Sequence, residues 1–159
     1  MANRKFKSIE DYFDYINKIL EECVKEIGVQ MKTELQDYLF ENWYKKYTPS
    51  EYIRSFNLLD SVKYSLIKQN GKIIVKVYYD ENSIIPEYME DSYWNRHMSL
   101  SGEDVSNDVP YYIEYGNGDN KLFKYNGIHA MKSLLRYAEQ TATIKLAILL
   151  NTKYGISIK

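Results

Sequence analysis

A single cysteine, Cys23, excludes an intrachain disulfide and fits a reducing compartment. The only histidines, His97 and His129, are too few and too far apart to build a zinc site with it. No apolar run approaches the ~18 residues that a bilayer-spanning helix needs. The basic start, Arg4-Lys5-Phe6-Lys7, runs into Ser8-Ile9-Glu10-Asp11 rather than an apolar stretch, so it reads as no secretory signal. The formal net charge is only −1, so no global field draws the chain to nucleic acid or to a membrane. Gly116 and Gly118 precede no Gly-Lys-Ser/Thr, which excludes a phosphate-binding loop. There is no Gly-x-Ser-x-Gly nucleophile turn either. Repeats and low-complexity segments are missing.

What is present describes a folded chain of 159 residues, long enough for one domain with a real core. Its 45% hydrophobic fraction exceeds what disorder tolerates. Seventeen tyrosines leave two readings open: the imprint of an AT-rich coding sequence, or a contact surface, since tyrosine buries much area at low entropic cost. Charge is unevenly placed. Residues 1–79 are net +2, and residues 80–119 carry ten acids against Arg96 alone, net −9. Residues 120–159 are net +6. The acidic middle reads either as a solvated loop or as a surface for a neighbouring basic one.

The pattern predicts an α+β fold. A long amphipathic helix over 8–46 opens at Ser8, a good N-cap with Glu10 and Asp11 in its first turn. Ile9, Tyr12, Phe13, Ile16, Leu20, Cys23, Val24, Ile27, Met31, Leu35, Tyr38 and Leu39 step by three and four along it. Gly28 is its weak point, a place for a kink or break. Thr48-Pro49 ends the run. Unbroken, the helix would be about 55 Å long, against a radius of gyration near 15 Å for a domain of this size. It would overhang its own globule, and a neighbouring subunit would have to cover part of its stripe. A short helix or turn over 50–61 then enters a hairpin, 62–79, turning at Asn70-Gly71. An acidic excursion follows over 80–109, with a short helix expected near 86–97. Tyr111–Tyr115 reads as extended or a single turn, Asn126-Gly127 as a second turn. A C-terminal helix spans 129–152, capped by Gly155, and Ile156-Ser157-Ile158 could add an edge strand. The whole is one domain, 1–159, in which the helix packs on a small antiparallel sheet.

Candidate chemistry is thin. Cys23 lies on the apolar stripe with Leu20 and Ile27 and reads as a core thiol. His129 has no visible nucleophile or partner and reads as structural. Acids at Asp80-Glu81 and Glu87, Glu90 and Asp91 invite the idea of a metal-dependent nuclease, but the one acid-x-Lys triplet, Asp119-Asn120-Lys121, sits in a turn-rich stretch. Lys45-Lys46 and Arg4-Lys5-x-Lys7 are small patches, not a nucleic-acid stripe. No catalytic, cofactor or metal residues are assigned.

Two segments and their order carry more. Tyr52-Ile53-Arg54-Ser55-Phe56-Asn57-Leu58-Leu59-Asp60-Ser61 runs into the hairpin, and Tyr112-x-Glu114-x-Gly116 is followed by Gly127-x-His129 ahead of the last helix. This order resembles the tail-completion or head–tail joining (neck) proteins of long-tailed phages. In that family an Arg-Thr/Ser-Gly/Asn-x-Leu-x-x-Ser stretch precedes the hairpin. Arg54, Ser55, Leu58 and Ser61 match it, with Phe56-Asn57 at the usual Gly-Asn place. Asn117 replaces a threonine after the Glu-x-Gly. The excursion is longer than the family's usual connection.

The resemblance implies a small α+β virion protein without catalytic role or cofactor. It would form a homo-oligomeric, often sixfold ring in the neck after assembly in the host cytoplasm. Its partners would be itself and adjacent neck and tail-tube proteins, with DNA only in passage and no membrane. Arg54 would pair with an acid such as Glu114. Tyr52, Tyr111, Tyr112 and Tyr115, with Tyr88, Tyr93 and Trp94 of the excursion, would pack the sheet or the neighbouring subunit. A tail terminator, a head-closure stopper, a nuclease using Glu87, Asp91 and Glu114, and a soluble adaptor stay open as alternatives.

Overall fold

The computed structural model describes residues 5–46, 56–84, 108–116 and 126–157. The fold is α+β and mostly helical. Helix α1 runs unbroken from Ile9 to Leu39, and a π-helical turn, Phe40–Tyr44, extends it. Ser8 caps α1 as expected: its Oγ accepts a hydrogen bond from Asp11 N at 3.1 Å. Helix α2 (Asn57–Ser61) leads into strands β1 (Val62–Gln69) and β2 (Lys72–Tyr79), which pair antiparallel from Val62↔Tyr79 to Gln69↔Lys72. Asn70 and Gly71 both take positive φ, 52° and 70°, as the favoured two-residue hairpin turn requires. Then come α3 (Glu81–Ile84), α4 (Val109–Tyr115) and α5 (Ala130–Tyr154).

Two buried clusters hold these elements to α1. At its C-terminal half, Leu35 and Leu39 pack with Leu58, Val62, Ile113, Ala130 and Leu134. Toward its N-terminus, Ile19, Cys23 and Ile27 pack with Leu149 and Leu150. The beginning of α5 therefore meets the end of α1 and the end of α5 meets its middle, so the two helices run antiparallel. Met31 packs against both clusters and joins them. Each fully buried Leu or Ile contributes about 1.5–3 kcal/mol, so this spine carries most of the packing energy.

Gly28 is no break. It is buried at the crossing of α1 over the hairpin, where a Cβ would stand 2.9 Å from Tyr64 Cδ2 and 3.3 Å from Val75 Cγ1. The missing side chain leaves that space to the Tyr64 ring and Val75. The predicted overhang is present. Ile9, Tyr12 and Phe13 are 63%, 43% and 57% exposed, and among the described residues Phe6 and Tyr15 join their aromatic contacts.

Other expectations need correcting. Residues 111–115, read as extended or a single turn, belong to a seven-residue helix: Pro110 sits in the first turn of α4, where its missing N–H costs nothing. The ends of the excursion are helical too, in α3 and the start of α4. The helix expected near 86–97, and the Thr48-Pro49 stop, lie outside the described residues. Helix α5 extends two residues beyond the expected 152. Gly155 then caps it in left-handed geometry, donating to Asn151 O at 2.8 Å, while Ile156 N donates to Leu150 O at 3.0 Å. That cap turns Ile156 back onto the Ile19 cluster, so 155–157 form no strand.

The end of α5 also makes a testable electrostatic contact. Tyr154 Oη donates to Glu22 Oε2 at 2.5 Å, and this bond, more than desolvation, pushes the phenol up to about 12 from its ordinary value of 10.0. The neighbouring Lys153 pairs with Glu26. Between pH 10 and 12 the unfolded tyrosine loses its proton first, so the bond's contribution, complete below pH 10, falls as pH rises toward 12. Chemical denaturation of wild type and Tyr154→Phe across this range should show a stability difference below pH 10 that vanishes above 12.

Candidate functional site

The structure brings the second segment and the Gly-x-His together in one junction. Helix α4 ends at Gly116, whose φ of 84° is costly for any residue with a Cβ. Gly116 then bridges to Asn126, Ile128 N donates to Ile113 O at 2.8 Å, and His129 N donates to Glu114 O at 3.2 Å. The two backbones are so close that a Cβ on Gly127 would stand 2.2 Å from Glu114 O. From the core side, Tyr38 Oη donates to Ile128 O at 2.8 Å, and Ile113 is buried beside Leu35 and Leu39.

Glu114 closes this junction. Its Oε2 accepts from Met131 N at 2.8 Å and its Oε1 from Lys132 N at 3.2 Å. These amides are orphan donors of the first turn of α5. His129 stands at the N-cap in left-handed geometry, with φ 52°, but makes no side-chain capping bond. The cap comes instead from a carboxylate seventeen residues earlier in the chain. Glu114→Ala should therefore cost about 1–2 kcal/mol and deprotect the Met131 and Lys132 amides, read by thermal melts and amide hydrogen exchange.

The first segment forms the other corner. Leu58 is in the core, and Ser61, fully buried, donates from Oγ to Leu58 O at 2.7 Å. Ser61 O accepts from Asp80 N at 2.7 Å, tying the base of the hairpin together. Gln36 Nε2 of α1 donates to Leu59 O at 2.7 Å. Phe56 precedes α2 with φ 57°, a left-handed angle that costs a phenylalanine about 1–2 kcal/mol. Its ring stacks on Tyr44 at 4.8 Å between centroids, which offsets about 0.5–1.5 kcal/mol of that.

Of the residues singled out from the sequence, Leu58 and Ser61 thus brace one corner, and Glu114, Gly116 and His129 meet in the other. Tyr112 is half-buried in α4, while Tyr111 and Tyr115 expose their rings beside each other, centroids 5.0 Å apart. Arg54, Ser55, Tyr88, Tyr93 and Trp94 lie outside the described residues, as do Glu87 and Asp91 of the nuclease idea. The carboxylate of Glu114, expected opposite Arg54, is engaged by α5. Local motif reading missed this cap because donor and acceptor are not neighbours in sequence. It also missed Ile19, one of the most buried side chains of α1.

Among the described residues the ionisable groups are placed as follows. Burial pushes the Cys23 thiol up, as a core residue should be. Burial, then the charge of Glu114, pushes the Tyr79 phenol up; its hydroxyl is buried and unpartnered among the described residues. Among those residues no three His, Cys, Asp or Glu side chains are grouped to hold a metal. Nor is any helix among them long and apolar enough to cross a membrane. A groove of about 270 Å³ between α1 and α5, lined by Glu34, Asp37, Tyr38, Leu134 and Tyr137, is smaller than the ~300–1,000 Å³ of a typical ligand pocket. The hollow along α5 at Thr143, Ile144, Ala147 and Ile148 is open surface, its isoleucines 61% and 54% exposed.

What the structure offers instead is uncovered apolar surface in separate places: the start of α1, the outer face of the hairpin (Ile67, Ile74), the α4 tyrosines, and the outer face of α5. Grouped exposure of this kind marks contact surfaces. Compared with protein-family models, with curated proteins and with solved structures, the chain has no match.

Proposed function

We propose that the chain is a structural virion protein of the phage neck, a tail-completion or head–tail joining component that assembles as a homo-oligomeric ring. One observation carries this reading: the places where the resembled pattern has glycine are places where this backbone calls for one. Gly116 has a positive φ and Gly127 has no room for a Cβ. Phe56, standing at a glycine place, takes the left-handed angle that a glycine would adopt freely. The backbone geometry thus follows the pattern even where the side chain departs from it.

The uncovered apolar surface supports the oligomeric part of the reading. Ile9, Tyr12 and Phe13 extend α1 beyond its own core, and burial against sister copies would recover about 25 cal/mol per Å² of apolar area. Function here is assembly: the subunits close a ring around the passage for DNA and present a docking face to the neighbouring neck and tail-tube proteins. Electron microscopy of the purified protein is expected to show closed rings with a central opening. Isolated particles with no ring, together with metal-dependent DNA cleavage that Asp91→Ala abolishes, would overturn the reading in favour of a nuclease.

A further inference from the structure

The hairpin turns two unlike faces to its surroundings. The face carrying Tyr64, Leu66, Val75 and Val77 meets α1 at Gly28. By strand alternation the opposite face carries Lys63, Ile67, Lys72, Ile74, Lys76 and Tyr78. Neither strand contains an acid. Among the described residues none of Lys63, Lys72 and Lys76 is in an ion pair; Lys68, which is, reaches Glu21 on the helix side. Ile67 and Ile74 pair directly across the strands and are 40% and 41% exposed, an apolar centre within a basic frame. Lys76 Nζ lies 5.1 Å from the centroid of the Tyr78 ring.

The other side of the molecule has the complementary character. Asp37 is nine residues after Gly28 on one straight helix, about two and a half turns, so it points roughly opposite to the hairpin. Asp37 and Glu34 are exposed on the groove between α1 and α5, beside half-buried Tyr38 and Tyr137 and buried Leu134. Glu41 nearby is paired with Lys45 at 2.5 Å, but among the described residues no cation pairs with Glu34 or Asp37. Carboxylates around an apolar floor, without an ion-pair partner among the described residues, thus lie opposite lysines around an apolar ridge that also have none among them.

We infer that the outer face of the hairpin docks into the Glu34–Asp37 groove of a second copy of this chain. Two different, complementary patches on opposite sides make a head-to-tail contact, which repeats from copy to copy and closes into a ring when the rotation allows. Opposite charge sets the register and suppresses hairpin-to-hairpin pairing, which would place lysines against lysines. Duplex DNA is the less suitable occupant, because a phosphate backbone has no use for the Ile67–Ile74 centre. The inference rests on the ring reading above, so its test separates the two.

Two variants with one added cysteine each, Ile74→Cys and Asp37→Cys, are mixed and treated with a short bis-maleimide; native Cys23, 1% exposed, stays out of the reaction. A linked dimer is expected from the mixture and not from either variant alone. Linkage within Ile74→Cys alone, or none in a mixture that assembles, overturns the docking. In a second arm, Lys72→Glu/Lys76→Glu should weaken assembly at least tenfold, and adding Glu34→Lys/Asp37→Lys to the same chain should restore it. Assembly that ignores these changes overturns this contact and leaves the ring reading standing; a wild-type chain that never assembles overturns both. Loss of DNA retention in Lys72→Glu/Lys76→Glu with no change in assembled mass assigns the face to nucleic acid instead.

Discussion

Gly127→Ala is expected to destabilise the protein by about 3 kcal/mol, a fall of roughly 6–12 °C in Tm for a chain of this length. The atoms in the way are Glu114 O at 2.2 Å and the carbonyl carbons of Glu114 and Tyr115 at 2.6 Å, all backbone. No rotamer change can clear them. The segment before α5 must move away from α4, and with it go the bonds from Ile128 N to Ile113 O and from His129 N to Glu114 O. The Glu114 cap then misses the first turn of α5. Thermal melts give the size of the effect; hydrogen exchange at Met131 and Lys132 shows whether it travels through the cap. Gly71→Ala is the control. It has a positive φ but nothing within 4 Å of a Cβ, so it should cost only about 1 kcal/mol.

Gly28 gives the second large effect and depends on side-chain size. Gly28→Ala gains up to about 1 kcal/mol of helix propensity, while the half-buried Tyr64 ring, 2.9 Å from the added Cβ, must shift aside. The two nearly cancel, and stability should change little. Gly28→Leu has no such balance. Its side chain needs the space held by Tyr64 and Val75, so the hairpin must lift off α1 at a cost of about 3 kcal/mol. Denaturant melts of the three proteins should rank the wild type and Gly28→Ala together and Gly28→Leu far below. A loss already at the alanine variant, against its higher helix propensity, would mean that the crossing has no room even for a Cβ.

The contrast between these glycines and the hairpin shows what sequence patterns can carry. The hairpin is legible to the residue because its determinants are local: alternating β-branched residues and an Asn-Gly whose backbone angles only one turn type needs. The long helix and its overhang are legible from period and length. Gly28 reads as a weak point because helix propensity is a property of one stretch of chain, whereas its actual role is set by a hairpin some forty residues later. The same holds for the junction. Tyr-x-Glu-x-Gly and Gly-x-His are visible as two motifs, yet nothing local says that a carboxylate in one caps the helix that follows the other. The edge strand expected at Ile156 fails for a related reason. The left-handed cap at Gly155 turns that residue onto the core, and 155–157 form no strand; Ile158 lies outside the described residues. Packing and hydrogen bonding give Leu58, Ser61, Glu114 and Gly116 structural roles.

Everything proposed for assembly rests on the apolar surface that one copy leaves uncovered at Ile9, Tyr12 and Phe13, on the hairpin, and on α5. Sedimentation velocity of the purified protein over a wide concentration range tests this most directly. A species at a fixed multiple of the 18.9 kDa chain mass is expected, growing with concentration at the expense of monomer and weakened by Lys72→Glu/Lys76→Glu. A single 18.9 kDa species at every concentration would contradict the account.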